Sequence, residues 1–378
     1  MSNHLTFAPD EFQTRIVRLR RKLRELDLAA GLFDEIEAMT WLSGYGNSEN
    51  RWRCVVVPVE AEPFFLIRAL DAGPCRSKSW ITAVPSYRDW EDPFPLLADW
   101  FARSGLSEAR VGLDFGSYCM PVGRFERLKS CLPKVKFIDL GPLISELRLI
   151  KSEAELAKLR QAAEIADRTM LQVAEICRPG KSQRDVALMV SQAAMELGAD
   201  PARPGPISAG KGWDFLHAHL EDKPLTKGDI VHVELTPSVD GYSARLMRCV
   251  SVGPIDPALA STAERLAVLQ DAQIAAMKPG VEARAIDRIL RDGVLSTGLR
   301  DSFDNITGYT LGLYAPAGPR TSDFTRIFHP HAHWRLEADM VFHMYVSAGG
   351  VSFSETVLVS DDGPIYLTKL PRNLMQGG

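Results

Sequence analysis

The chain has 378 residues and a net charge of −4, with 46% hydrophobic and 24% charged residues. That is enough apolar material for two or three cores, and it excludes a disordered chain. The mildly acidic balance gives no reason to expect nucleic acid or an anionic membrane as a partner, and no stretch approaches the run of about 18 apolar residues that spans a bilayer.

Residues Met1 to Asp10 show no basic start followed by an apolar run, so no signal peptide is expected and the location is read as cytoplasmic. Cys54, Cys75, Cys119, Cys131, Cys177 and Cys249 form no C-x-x-C pair and read as scattered thiols of a reducing compartment.

The first helix is expected over about Pro9–Leu28, where Phe12, Ile16, Leu19, Leu23 and Leu26 recur at helical spacing. Arg18, Arg20, Arg21, Lys22 and Arg24 share its other side and read as a solvated basic face. Apolar runs at Ala29–Phe33, Cys54–Pro58, Pro63–Ile67 and Val111–Phe115 alternate with helical stretches at Pro93–Ala102 and Pro121–Cys131. That alternation predicts an α/β domain.

A boundary falls near Gly141–Lys151, which divides the chain into domains over 1–145 and 146–378. Ser152-Glu153-Ala154-Glu155 is a capping box and opens a long helix that ends at Pro179-Gly180. A second helix starts after Ser182. Asp229–Val252 alternates in strand fashion around Asp240-Gly241, a favoured hairpin dipeptide. Helices near Ala258–Met277 and Ala283–Leu295 follow, then strand-like runs at Met340–Ser347, Val351–Val359 and Pro364–Thr368. The second half reads as α+β, with helices outside a curved antiparallel sheet.

Seven of the eight histidines lie beyond residue 216, which places the polar chemistry in the second domain. His217 and His219 read either as solvated loop residues or as a general acid and base, because imidazole titrates near neutrality. His329, His331 and His333 resemble a metal tract by composition alone and read as a surface loop.

Glu234 and Arg245 flank the Asp240-Gly241 turn and can meet across it. A surface ion pair and a pair lining a cleft both fit. Val231, Val233 and Leu235 alternate with His232, Glu234 and Thr236, so one strand face is polar. Glu355 stands in an apolar strand, where an unpaired buried acid is costly, and reads as an active-site acid or half of a structural pair.

These residues carry a resemblance. Thr40-Trp41-Leu42-Ser43-Gly44-Tyr45 is similar to the "WLTGY" stretch of creatinase-type N-terminal domains. Glu146–Glu155 resembles the "E-x-R-x-I-K-S-x-x-E" junction that follows it, and Gly228–Arg248 resembles a first metal-binding strand pair. On these motifs the chain is identified as a member of the creatinase/prolidase/methionine aminopeptidase superfamily, peptidase family M24. The resemblance implies an α/β creatinase-type N-terminal domain followed by an α+β pita-bread domain with a curved antiparallel sheet.

The family's metallopeptidases hold two divalent metals with Asp, Asp, His, Glu and Glu. By motif these positions fall here on Glu234, Arg245, Tyr309, Tyr345 and Glu355. A guanidinium has no lone pair to give and stays charged. The expectation is therefore no metal and no cofactor, with Arg245 neutralising both Glu234 and Glu355.

His217 precedes Glu234 as the family's substrate-contacting His precedes its first Asp, and the family's second His falls on Pro316. Gly308–Leu313, Asp339–Met344, Ser354–Val359 and Leu370-Pro371-Arg372 resemble the "GYSIGIG", "GMVFHL", "SETVLV" and "FPR" stretches of ectoine hydrolase and its relatives. Ala317 and Pro319 stand where that branch has Trp and Glu, and Met247 stands where an acid is expected.

The resemblance implies metal-independent hydrolysis of a C–N bond in a small zwitterionic compound: an amidine, guanidine or cyclic amide. In that scheme His217 or His219 carries the proton, and Glu355 activates water or attacks, with Glu234 beside it. Arg320 clamps a substrate carboxylate, while Arg245, Tyr309, Tyr345 and His343 contact substrate. A binding protein without catalysis, a lyase and a divergent Xaa-Pro peptidase are the other readings. A homodimer is expected by resemblance.

Overall fold

The computed structural model describes residues 4–46, 50–201, 204–210, 219–314, 320 and 324–378. The chain divides into two compact units, residues 1–148 with 317–321, and residues 149–316 with 322–378.

The first unit begins with α1 (Pro9–Glu25), β1 (Ala30–Phe33), α2 (Ile36–Ser43), β2 (Cys54–Pro58) and β3 (Phe64–Arg68). It continues with α3 (Ala72–Lys78), β4 (Ser86–Tyr87), α4 (Pro93–Arg103), β5 (Arg110–Leu113), α5 (Val122–Cys131), β6 (Lys136–Asp139) and α6 (Leu143–Leu147). The strands form one sheet in the order β4-β3-β2-β1-β5-β6, with β1, β5 and β6 parallel and β2 antiparallel to β1. Leu32, Val56, Phe64, Leu66, Leu97, Phe101 and Val111 belong to its core.

The basic side of α1 is tethered more than the sequence reading allowed. Arg18 donates to the Leu147 carbonyl at 2.7 Å, and Arg20 donates to the carbonyls of Pro58 and Ala61. Arginine reaches these groups because its long stem carries five donors in a rigid fork. Helix α2 was not foreseen, because it is buried nearly all round and has no polar stripe to mark it.

It ends at Gly44, whose φ of +88° is left-handed. A Cβ there would stand 2.7 Å from the Lys78 carbonyl oxygen. Gly44→Ala is expected to cost at least about 1 kcal/mol, from strain and clash together. A thermal melt checks this, and an unchanged melting temperature counts against it.

The second unit starts with α7 (Glu153–Ile176), α8 (Gln183–Glu196), β7 (Ile207–Gly210), β8 (Ile230–Leu235), β9 (Ser238–Val239), β10 (Tyr242–Ser243) and β11 (Leu246–Ser251). Then come α9 (Pro257–Ala275), α10 (Ala283–Ser296), β12 (Gly308–Thr310), β13 (Ile327–Phe328), β14 (Val341–Ala348), β15 (Val351–Leu358), β16 (Ile365–Tyr366) and β17 (Met375–Gln376). Both helix starts read from sequence are capping boxes, Ser152 with Glu155 and Ser182 with Asp185.

One sheet has the order β17-β11-β8-β7 and the other β13-β12-β14-β15-β16. Val231, Val233, Leu235, Leu246 and Val250 pack with α7 and α8. Phe342, Met344, Val346, Phe353 and Val357 point the other way along their strands from the polar residues and pack with α9 and α10. The opposite faces carry His232, Glu234, His343, Tyr345, Ser352, Ser354 and Thr356.

Three residues of β15 join the two sheets. Thr356 Oγ1 accepts from the Arg245 amide at 2.8 Å and donates to the Arg245 carbonyl at 2.9 Å. Ser354 accepts from the Met247 amide at 2.7 Å, and the Ser352 amide donates to Cys249 Sγ at 3.3 Å. Alternate residues of β15 thus satisfy alternate residues of β11 through side chains. All six cysteines are free thiols. Among the described residues no helix is long and apolar enough to cross a membrane.

Candidate active site

The second unit gathers Glu234, Arg245, Tyr309, His343 and Tyr345. Glu234 comes from the polar face of β8, and Arg245 from the residue just before β11. The β9–β10 hairpin folds these two segments together, and Arg245 Nη1 donates to Glu234 Oε1 at 2.8 Å. Both side chains are buried, at 5% and 7% exposure, so this is an interior ion pair and not a surface one. The Arg245 guanidinium lies 5.6 Å from the Tyr309 ring centre and 5.8 Å from that of Tyr314. Aromatic faces attract a cation, which helps hold it there.

The second wall comes from β12 and β14. Their register sets Tyr309 opposite His343, and Tyr345 lies two residues further along the same face. The His343 and Tyr345 rings stack at 5.3 Å and 23°, while Tyr309 meets His343 edge-on at 4.9 Å. Tyr309 and Tyr345 are partly exposed, and His343 is buried. Neither ring nitrogen of His343 has a hydrogen-bond partner among the described residues. Leaving a buried polar group unpaired costs about 1–3 kcal/mol, so His343 is poised to accept a ligand group or water.

Charge follows from burial. Burial drives the His343 pKa down to about 3; Glu234 pulls it back up and Arg245 pushes it further down. The imidazole is therefore neutral at physiological pH. Burial is the strongest single influence on Glu234 and opposes its charge, but the Arg245 guanidinium, its hydrogen bond and the neighbouring histidines together hold the carboxyl below the usual range. Burial raises Tyr345 to about 12, so it remains a phenol. The cluster thus combines one carboxylate, one guanidinium, neutral phenol and neutral imidazole.

Glu355 does not join it. The two-residue Gly349-Gly350 turn pairs Ala348 with Val351, which sets Met344 opposite Glu355 and Tyr345 opposite Ser354. Directly paired residues share a face, so Glu355 points to the helix side with Met344. There Arg248 Nη2 donates to it at 2.7 Å, Thr368 donates to its other oxygen, and Arg372 stands 3.6 Å away. Burial raises its pKa, and Arg248, Thr368 and Arg372 pull it back. The expectation that Arg245 neutralises both acids is corrected: Arg245 serves Glu234, and Arg248 with Arg372 serves Glu355.

His219 is exposed, and His217 lies outside the described residues, as does Pro316. Arg320 is exposed and groups with the first unit. Sequence reasoning missed the contact of Tyr314 with Arg245. It also missed the bond between Ser352 Oγ and His232 Nδ1, at 2.7 Å, on the same polar face. The usable signal was the Gly-Gly pair between two alternating runs, a hairpin dipeptide that sets which residues of β14 and β15 face each other.

Residues 157–361 match the metallopeptidase family M24 model, and residues 15–150 match the creatinase/prolidase N-terminal domain. The chain belongs to metallopeptidase family M24. A putative dipeptidase YkvY of Bacillus subtilis is 26% identical over 368 residues, covering 96% of this chain and 99% of that protein. A Xaa-Pro dipeptidase of Pyrococcus furiosus is 30% identical over 253 residues, covering 65% and 70%. Dipeptidase PepE of Mycobacterium ulcerans superposes with a TM-score of 0.81 at 23% identity, covering 98% and 99%. The Xaa-Pro dipeptidase of Bacillus anthracis superposes with a TM-score of 0.82 at 19% identity, covering 97% and 99%. These superpositions establish the two-domain creatinase and pita-bread fold.

The M24 family implies a pair of divalent metals, and the residues present do not fit them. Hard cations want oxygen anions or neutral imidazole. The five positions that the resemblance assigns offer two carboxylates on different faces, two tyrosines and a guanidinium. Among the described residues no group of three or more His, Cys, Asp or Glu is placed to hold a metal.

Proposed function

We propose that this M24 member is a metal-independent hydrolase that opens a C–N bond of a small zwitterionic compound. The observation that carries the reading is the buried Glu234–Arg245 pair at two positions where the family's metallopeptidases bind metal. A net-neutral cluster rich in donors suits a zwitterion better than it suits cations.

In this reading water adds to the substrate carbon, the C–N bond breaks, and the leaving nitrogen takes a proton. Tyr309, Tyr345 and Arg245 donate hydrogen bonds to the developing oxyanion. Glu234, not Glu355, is the carboxylate on the cluster face, and it orients the water. His217 or His219 delivers the proton. Glu355 anchors Arg248 and the chain around Leu370 and Pro371.

The names of the relatives favour a second reading, a divergent Xaa-Pro dipeptidase. A substrate panel separates the two. Creatine-like, ectoine-like and cyclic amide compounds are incubated beside Xaa-Pro dipeptides, each with chelator and with manganese. Turnover of a non-peptide compound in chelator is the expected result. Manganese-dependent cleavage of a dipeptide, with no other turnover, would replace the first reading by the second. A cytoplasmic homodimer is part of the proposal, and light scattering on the purified chain tests the oligomeric state.

A further inference from the structure

The Asp240-Gly241 turn is held from outside its own hairpin. Its two central residues have φ of 51° and 83°, the geometry of a two-residue hairpin loop. Such a loop closes its hydrogen bond between the flanking residues, so the two central amides need acceptors elsewhere. Asp200, in the segment after α8, supplies them. Its carboxylate accepts from the Asp240 amide at 3.1 Å, the Gly241 amide at 2.8 Å and the Ser238 hydroxyl at 2.9 Å. The Asp200 amide donates to the Ser238 carbonyl at 2.8 Å. An ionised carboxylate suits three converging donors, because it only accepts and has lone pairs for each.

Glu234 leads into this hairpin and Arg245 leaves it, so the buried ion pair stands at the open end of what Asp200 holds. The turn also supports Arg245 from a second side. The Gly241 carbonyl accepts from the Tyr314 amide at 2.8 Å, and the Tyr314 ring lies 5.8 Å from the Arg245 guanidinium. A shift of the turn therefore moves both the strand that carries Arg245 and one ring beside it. A buried pair tolerates little of this, since its hydrogen bond weakens with distance and angle while the desolvation cost stays.

We propose that Asp200 is a positioning residue: it holds the β9–β10 turn in the geometry that lets Arg245 reach Glu234. Its link to function rests on the hydrolase reading of the same pair. The test reads the arginine itself and needs no turnover, so failure of the one is distinguishable from failure of the other.

The full chain is labelled with nitrogen-15 arginine, and Arg245 is assigned by comparison with Arg245→Lys. A guanidinium held by a carboxylate turns slowly about its Cζ–Nε bond and shows two separate Nη signals, the result expected for the wild type. Asp200→Ala is expected to speed that rotation at least about tenfold and merge the signals, the effect of losing one charged hydrogen bond. Asp200→Asn keeps one oxygen acceptor but puts an N–H where the other stood, and should fall between. Lys158→Met is the control. Lys158 pairs with the Asp240 carboxylate at 2.7 Å, so it touches the turn without accepting from its amides. It should leave the Arg245 signals separate.

Separate signals in Asp200→Ala, with only a lower melting temperature, overturn the proposal and leave Asp200 as a stabiliser of the turn. Merged signals in the wild type, or merging in Lys158→Met as well, also overturn it. If Asp200→Ala does not fold, Asp200→Asn decides: faster rotation supports the proposal, and unchanged rotation overturns it.

Discussion

Arg245→Met is expected to lower unfolding free energy by about 3–5 kcal/mol, because it leaves the Glu234 carboxylate buried without its counter-ion. In a domain of this size that is a fall of roughly 6–20 °C in melting temperature. The double variant Glu234→Gln/Arg245→Met should recover most of the loss, since no charge remains to be buried. Urea unfolding of the wild type, the single variant and the double variant measures this. A double variant as unstable as the single one would mean that the cost lies in lost packing of Arg245 on Tyr309 and Tyr314, not in the orphaned acid.

The pH dependence has a definite sign. In the wild type Arg245 holds the Glu234 pKa below its unfolded value. That contribution is complete above the ordinary carboxylate range and is lost as pH falls through the lowered pKa. In Arg245→Met only burial and weaker neighbours act, so the Glu234 pKa rises and the carboxyl becomes neutral at a milder pH. The gap between wild type and variant therefore narrows as pH falls from 7 toward 4.

The second large effect is a missing one. After incubation with manganese, cobalt and zinc and then dialysis, plasma mass spectrometry is expected to find well under one metal per chain. A metal site with a micromolar dissociation constant would add about 4 kcal/mol of stability at millimolar metal. No such rise in melting temperature is expected here. Arg245→Asp should not restore binding either, because two tyrosines remain and Glu355 faces the helices. Two metals per chain in the wild type would mean that other residues supply the ligands.

Tyr309, His343 and Tyr345 could be named as neighbours from sequence once their strands were recognised, since alternation puts His343 and Tyr345 on one face. The resemblance supplied the two-domain fold and the positions of Glu234, Arg245 and Glu355. Neither source said which acid stays in the cluster. That choice depends on register, and a slip of one residue sends every side chain of a strand to the opposite face. The turn at Gly349 and Gly350, with φ of 58° and 81°, makes the choice. Left-handed φ at both centres is the geometry of a two-residue hairpin loop, so the dipeptide carried a signal, but only the paired strands show its consequence for Glu355.

By itself the sequence determined what is local: the capping box at Ser152, the helix start after Ser182, the Asp240-Gly241 hairpin and the polar alternation of β8. Each is set by spacing within a few residues or by the chemistry of one side chain. Only the tertiary structure decided what is non-local: that Arg245 is buried on two tyrosine rings, that Thr356 holds its backbone from another strand, and that Glu355 belongs to Arg248. Burial and pairing are properties of residues about a hundred positions apart in the chain. They are settled by which faces the packed sheets must hide.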